Sequence, residues 1–181
     1  MKNSILKIFQ KKGKQSKQRT AVVTNYKNAK KVGVLYRVRD VEQEQLLGQY
    51  VKYLKVEKGI DQVEVLGFYN GKKLPEFASG QTEFSYFTLR DFNWFKRPKT
   101  TSVKRFIVED YDILIDLSPK EETLTHFIVN HSRAKLKVGK FYGGKDSLYD
   151  LMIDVKDSTD LNYLINQVNH YLSLINKEEV L

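Results

Sequence analysis

The chain has no cysteine. That absence excludes a disulfide framework, a thiolate metal site and a cysteine nucleophile, and it fits a reducing compartment. No segment approaches the run of about 18 apolar residues that a membrane span needs. A short apolar group lies near the start, Ile5, Leu6, Ile8 and Phe9, but Lys7 interrupts it and no small-residue cleavage site follows. A secretory signal needs both features, so the expected location is the cytoplasm. There is also no glycine-rich phosphate loop. After the first strand the chain reads Arg37-Val38-Arg39-Asp40, where a dinucleotide site would need glycines for close backbone approach.

Signs of catalysis are equally sparse. No Gly-x-Ser-x-Gly nucleophile turn occurs. The three histidines are His126, His131 and His170. His126 and His131 are five residues apart and fall on different faces of a helix, which makes them poor joint ligands. His131 lies on the apolar face and reads as a core histidine. His170 has no carboxylate at ligand spacing. No metal, cofactor or catalytic residue is expected, and the balance leans away from an enzyme. Asp110 and Asp112 flank Tyr111, a pair that reads as a solvent-facing strand entry rather than an acid–base couple.

Acidic residues are missing from one region only. Residues 1–31 hold ten of the 31 basic side chains and no Asp or Glu. The other 150 residues carry 21 basic against 22 acidic groups. The net charge of +9 therefore belongs to an N-terminal arm attached to a near-neutral domain. Blocks of one sign stay solvated and commonly bind polyanions. The division expected is a basic tail over 1–29, partly helical or disordered, and a single domain over 30–181. A short amphipathic helix would carry Ile5, Ile8 and Phe9.

From residue 30 a strand–helix alternation is readable. Val32 to Tyr36 forms a strand. Leu47, Tyr50, Val51 and Leu54 then make one helical face, closed at Gly59. Strands follow at 62–69 and from Phe84 to Leu89. Ile113, Leu114, Ile115 and Leu117 have the continuous apolar character of a buried parallel strand. Ser118, Pro119 and Glu121 match a capping box with proline at the first helical position. Leu136, Val138 and Phe141, then Tyr149, Leu151, Ile153 and Val155, alternate around Gly143-Gly144 as an antiparallel hairpin. An amphipathic helix runs from Leu161 to Ile175. The expected fold is α/β, a three-layer Rossmann-like or flavodoxin-like sandwich with a mostly parallel sheet and an antiparallel edge hairpin.

Three groups of residues are candidates for function. The arm supplies Lys7, Lys11, Lys12, Lys14, Lys17 and Arg19 for the phosphates of RNA or of a ribosome. A loop with Phe92, Trp94 and Phe95 precedes Lys96, Arg97 and Lys99. Aromatic faces stack on unpaired bases while cations hold phosphates, although large rings also serve as anchors to a core. Asp116 and Ser118 stand at the carboxyl end of the central strand, where open α/β sheets place small-molecule ligands. The leading expectation is a non-enzymatic RNA- or ribosome-associated protein. The alternatives are a small-molecule or enzymatic site at Asp116 and Ser118, and peripheral association with an anionic membrane through Ile5, Leu6, Ile8 and Phe9.

Four segments together carry a resemblance: Lys30-Lys31-Val32-Gly33-Val34-Leu35, Asp91-Phe92-Asn93-Trp94-Phe95, Tyr111 through Leu117, and Ala134-Lys135-Leu136-Lys137-Val138-Gly139. On these the chain resembles a bacterial family of small α/β proteins defined only as a domain of unknown function. The resemblance spans nearly the whole chain and implies no catalytic residue. The stretch from Asp112 to Phe141 is also similar in element order to the first domain of heptosyl-type glycosyltransferases. No second nucleotide-sugar domain accompanies it, so the likeness is one of fold.

Overall fold

The computed structural model describes residues 7–8, 19–78, 82–143, 148–156 and 158–175. Among these residues seven strands form one sheet: β1 (Lys7–Ile8), β2 (Lys31–Arg37), β3 (Gln62–Tyr69), β4 (Phe84–Thr88), β5 (Ile113–Asp116), β6 (Leu136–Lys140) and β7 (Leu151–Ile153). Four helices of the described residues accompany them: α1 (Val41–Val56), α2 (Thr101–Val108), α3 (Thr123–His131) and α4 (Leu161–Leu174). The strand order is β1-β7-β6-β5-β2-β3-β4. Strands β2 to β7 all pair in parallel, and β1 pairs antiparallel with β7. The six parallel strands follow the doubly wound Rossmann order, with the reversal between β2 and β5. Among the described residues no helix is long and apolar enough to cross a membrane.

The period of two along the strands generates the layers. In β2, Val34 and Tyr36 join one apolar cluster while Leu35 joins another. The first cluster packs α1 and α4 on one face through Leu47, Leu54, Leu164 and Val168. The second packs α2 and α3 on the other through Val103, Phe106, Ile128 and Val129. Each helix thus buries one stripe against the sheet, which is what its apolar spacing demands. Asp40 starts α1 by accepting a hydrogen bond from the Gln43 amide at 2.8 Å, as an N-cap does.

Several expectations change. The pair β6 and β7 is parallel, not an antiparallel hairpin. Alternation reports which side chains share a face, not the direction of the chain. The antiparallel strand at this edge is β1, and its Lys7–Ile8 backbone is extended where a short helix was expected. Helix α2 has no counterpart in the expected order, though Val103, Phe106 and Ile107 carry the spacing. The folded body also begins earlier than residue 30. Tyr26 is buried, with its hydroxyl bonded to Tyr50 and donating to Asn169, and the Val22 amide donates to Lys135 O. Arg19 forks onto Asp150 at 2.6 and 2.7 Å and also donates to the carbonyls of Ala134 and Lys135.

Candidate functional site at the carboxyl edge of the sheet

The loops leaving β2, β3, β4 and β5 meet at the carboxyl edge, where an open parallel sheet offers side chains to a ligand. Around β5 those side chains are consumed by the fold. Asp116 is buried; its Oδ1 accepts from the Ser118 amide at 2.9 Å and its Oδ2 from the Tyr149 hydroxyl at 2.7 Å. Burial pushes the Asp116 carboxyl above its ordinary range, against the Ser118 and Tyr149 donors that favour its charge. Tyr142 donates to Ser118 O at 2.6 Å. Lys140, also buried, donates to Ser158 O at 2.8 Å and ties the neighbouring loop down.

Ser118 does not cap a helix. Helix α3 starts at Thr123 with Glu122 at its N-cap and no side-chain cap. Ser118 is instead buried, 1% exposed, and its Oγ, though close enough to Asp116 to favour the charge there, has no well-formed hydrogen bond among the described residues. The Nε2 of His126 is likewise buried without a hydrogen-bond partner among the described residues. His131 is exposed, stacks on Phe127 at 4.0 Å and bonds Phe127 O through Nδ1, so it is not a core histidine. Asp112 is a joint of the fold: it accepts from the amides of Lys30 and Lys31 and from Lys135 Nζ.

Around β4 the arrangement is the opposite. Thr88 and Asp91 form a reciprocal capping box on the short 3-10 turn Leu89–Asp91. Phe92 is then buried against Phe87 and Phe127, with 6% exposed. Phe92 pairs with Pro98 across a closed loop. Inside that loop the Lys96 amide donates to Asn93 O, and the Arg97 amide to Asn93 Oδ1, both at 2.9 Å. Trp94 and Phe95 therefore occupy the two central positions of a hydrogen-bonded turn, and Lys96 takes the left-handed conformation after it, φ 56°. That is the turn-plus-bulge arrangement of a tight hairpin loop. Trp94 is 94% exposed and Phe95 79%.

Arg90, Lys96, Arg97 and Lys99 are exposed on the same loop as this turn. Lys72 and Lys73 are exposed on the loop after β3, and Arg39 after β2. None of these seven makes a side-chain hydrogen bond or ion pair among the described residues. Two of the acids on these loops, Asp40 and Asp91, serve as caps. Arg37 differs, being paired with Glu122. The near-neutral domain thus has a locally basic edge over β2 to β4, a distribution that net charge conceals.

The structure therefore brings together Trp94, Lys96, Arg97 and Lys99, and separates them from Asp116 and Ser118. Lys7 belongs to β1, and Arg19 is held by Asp150. Lys11, Lys12, Lys14 and Lys17 lie outside the described residues, as do Ile5, Leu6 and Phe9. Sequence reasoning missed Arg39, Lys72 and Lys73, whose only signal was their position just after a strand. Tyr149 as the partner of Asp116 left no signal, since the two are 33 residues apart.

A doubly wound sheet with the Asp116 cluster tied into the fold beyond β5 and exposed rings and cations beyond β4 defines an α/β protein of the Rossmann-like class. The chain belongs to a family of unknown function, DUF6913, whose model matches residues 2–175. No curated protein and no solved structure matches it.

Proposed function

We propose that the protein is a non-enzymatic RNA-binding protein of the cytoplasm, with the Trp94–Phe95 turn as its stacking platform. The observation that carries this reading is the near-complete exposure of two large rings on a hydrogen-bonded turn among unpaired cations. An anchoring role is already filled by Phe92, which is buried in the same loop. Base–aromatic stacking is worth about 1–3 kcal/mol per base, and it tolerates sequence because every base has a face. Arg90, Lys96, Arg97 and Lys99 would hold phosphates on either side. The arm's lysines would extend the contact electrostatically, and each phosphate they neutralise releases counterions.

The test is titration of the whole chain into a fluorescein-labelled decauridylate over a salt series. Saturable binding at low salt is expected, with log affinity falling by about 0.7 per neutralised phosphate for each decade of salt. Absence of binding at low salt contradicts the reading. Association with ribosomes is the narrower form of the proposal. Co-sedimentation with ribosomes at low salt, released at high salt, supports it; no co-sedimentation removes it and leaves the binding of free RNA.

A further inference from the structure

A second feature of the carboxyl edge lies apart from the aromatic turn. Between the ends of β2, β3 and β5 is a cleft of about 490 Å³, lined by Arg37, Arg39, Tyr69, Asn70, Pro119 and Lys120. It sits at the reversal of strand order, the position where doubly wound sheets bind ligands. Its volume is in the range of small-molecule sites, about 300–1,000 Å³. No acidic side chain lines it.

The cations of this cleft are in different states. Arg37 is committed to Glu122. Arg39 and Lys120 are exposed and have no side-chain partner among the described residues. The Arg39 backbone is nonetheless fixed, because its amide donates to Gln43 Oε1 at 2.9 Å. The helix ends nearby are closed to an anion. Asp40 caps α1, and Asp160 caps α4 by accepting from the amides of Asn162 and Tyr163. A phosphate in this cleft must therefore be bound by side chains, which agrees with the lack of a glycine-rich loop. Tyr69 supplies an aromatic wall. Its ring lies so close over Gly71 that a Cβ there would meet it at 2.4 Å, and this packing holds the ring in place. Asn70 adds an amide able to donate to and accept from a flat heterocycle.

We propose that this cleft binds a nucleoside monophosphate unit, with Arg39 and Lys120 on the phosphate and Tyr69 against the base. The unit is either a free nucleotide or the 5′-phosphorylated end of an RNA strand. The proposal is independent of the stacking platform and stands if that platform fails.

Calorimetric titration of the whole chain with AMP, adenosine and inorganic phosphate tests it. AMP should bind saturably and at least about tenfold more tightly than adenosine, since charge-assisted bonds to phosphate are the strong ones. Arg39→Ala with Lys120→Ala should remove at least about tenfold of the AMP affinity, and Tyr69→Ala should abolish the preference for AMP over inorganic phosphate. The first two side chains are exposed, so the fold tolerates their loss. Trp94→Ala with Phe95→Ala should leave AMP binding unchanged, which separates this site from the stacking platform. Decauridylate with and without a 5′-phosphate distinguishes the two sources. A gain from the phosphate that vanishes in the Arg39/Lys120 variant assigns the strand end; equal affinities with AMP binding intact assign the free nucleotide. If neither AMP nor the 5′-phosphate responds to loss of Arg39 and Lys120, the proposal is overturned.

Discussion

The two ends of the carboxyl edge use similar residues for opposite purposes. Near β5, Asp116, Tyr142, Tyr149 and Lys140 bond one another or nearby carbonyls; Tyr142 is half-buried and the other three are buried. Near β4, Trp94, Phe95, Lys96, Arg97 and Lys99 are exposed on and beside a hydrogen-bonded turn, and their side chains bond nothing among the described residues. Aromatic, cationic and hydroxyl groups occur at both ends, so residue type does not separate them. Pairing and exposure do. A polar group with its partners in place stabilises the fold, whereas an unpaired cation beside an exposed ring is available to a partner.

This contrast can be broken most forcefully at its sealed end. Asp116→Ala removes the acceptor that both the buried Ser118 amide and the buried Tyr149 hydroxyl use. It should cost about 3 kcal/mol of stability, read as a lower urea midpoint at constant slope. A loss below about 0.5 kcal/mol, the scale of a neutral surface change, would mean the cluster is not structural. Gly139→Ala probes the same cluster from below. The new Cβ would stand 2.4 Å from the Tyr149 ring, which its hydroxyl bond holds in place. Overpacking of this kind costs about 1–3 kcal/mol, and a neutral result would show that Tyr149 is free to move.

Lys137 gives a pH test. Burial, with Arg19 nearby, lowers its ammonium to about 8 against the opposing pull of Asp150. The unfolded chain keeps that proton up to the ordinary lysine value of about 10.4. Between those values the unfolded state binds more protons, so this contribution to stability rises with pH. Wild type should therefore gain stability relative to Lys137→Met between pH about 8 and about 10; a flat difference would place the lysine in solvent. The smallest effect is at the open end. Lys96→Ala, Arg97→Ala and Lys99→Ala should each leave stability within about 0.5 kcal/mol. Each should reduce the salt slope of RNA binding by about 0.7.

What the sequence disclosed follows the same division. Strands β2, β3 and β5 and helices α1 and α4 were legible because their apolar spacing is set by a core on one face or both. The aromatic–basic loop was legible as composition. That Phe92 would be the anchor and Trp94 the free ring was not, because both are large aromatics two residues apart. The Ser118-Pro119-Glu121 pattern matched a cap, yet α3 starts later at Thr123, and the Ser118 side chain is drawn under the loop. The parallel pairing of β6 and β7 was hidden by its short connection, residues 141–150, because parallel neighbours usually need a crossover of a dozen residues or more. Residues 19–29 read as tail because they are mostly polar. Their docking rests on particular bonds, Arg19 to Asp150 and Tyr26 to Tyr50 and Asn169.

The most direct measurement is fluorescence anisotropy of labelled decauridylate with wild type and with Trp94→Ala/Phe95→Ala, at low and at high salt. At about 1–3 kcal/mol per stacked base, the double variant should bind at least about 30-fold more weakly at both salt concentrations, with the same salt slope and the same urea midpoint. Equal affinity of the two proteins would contradict the account, because the exposed rings would then be no platform for RNA.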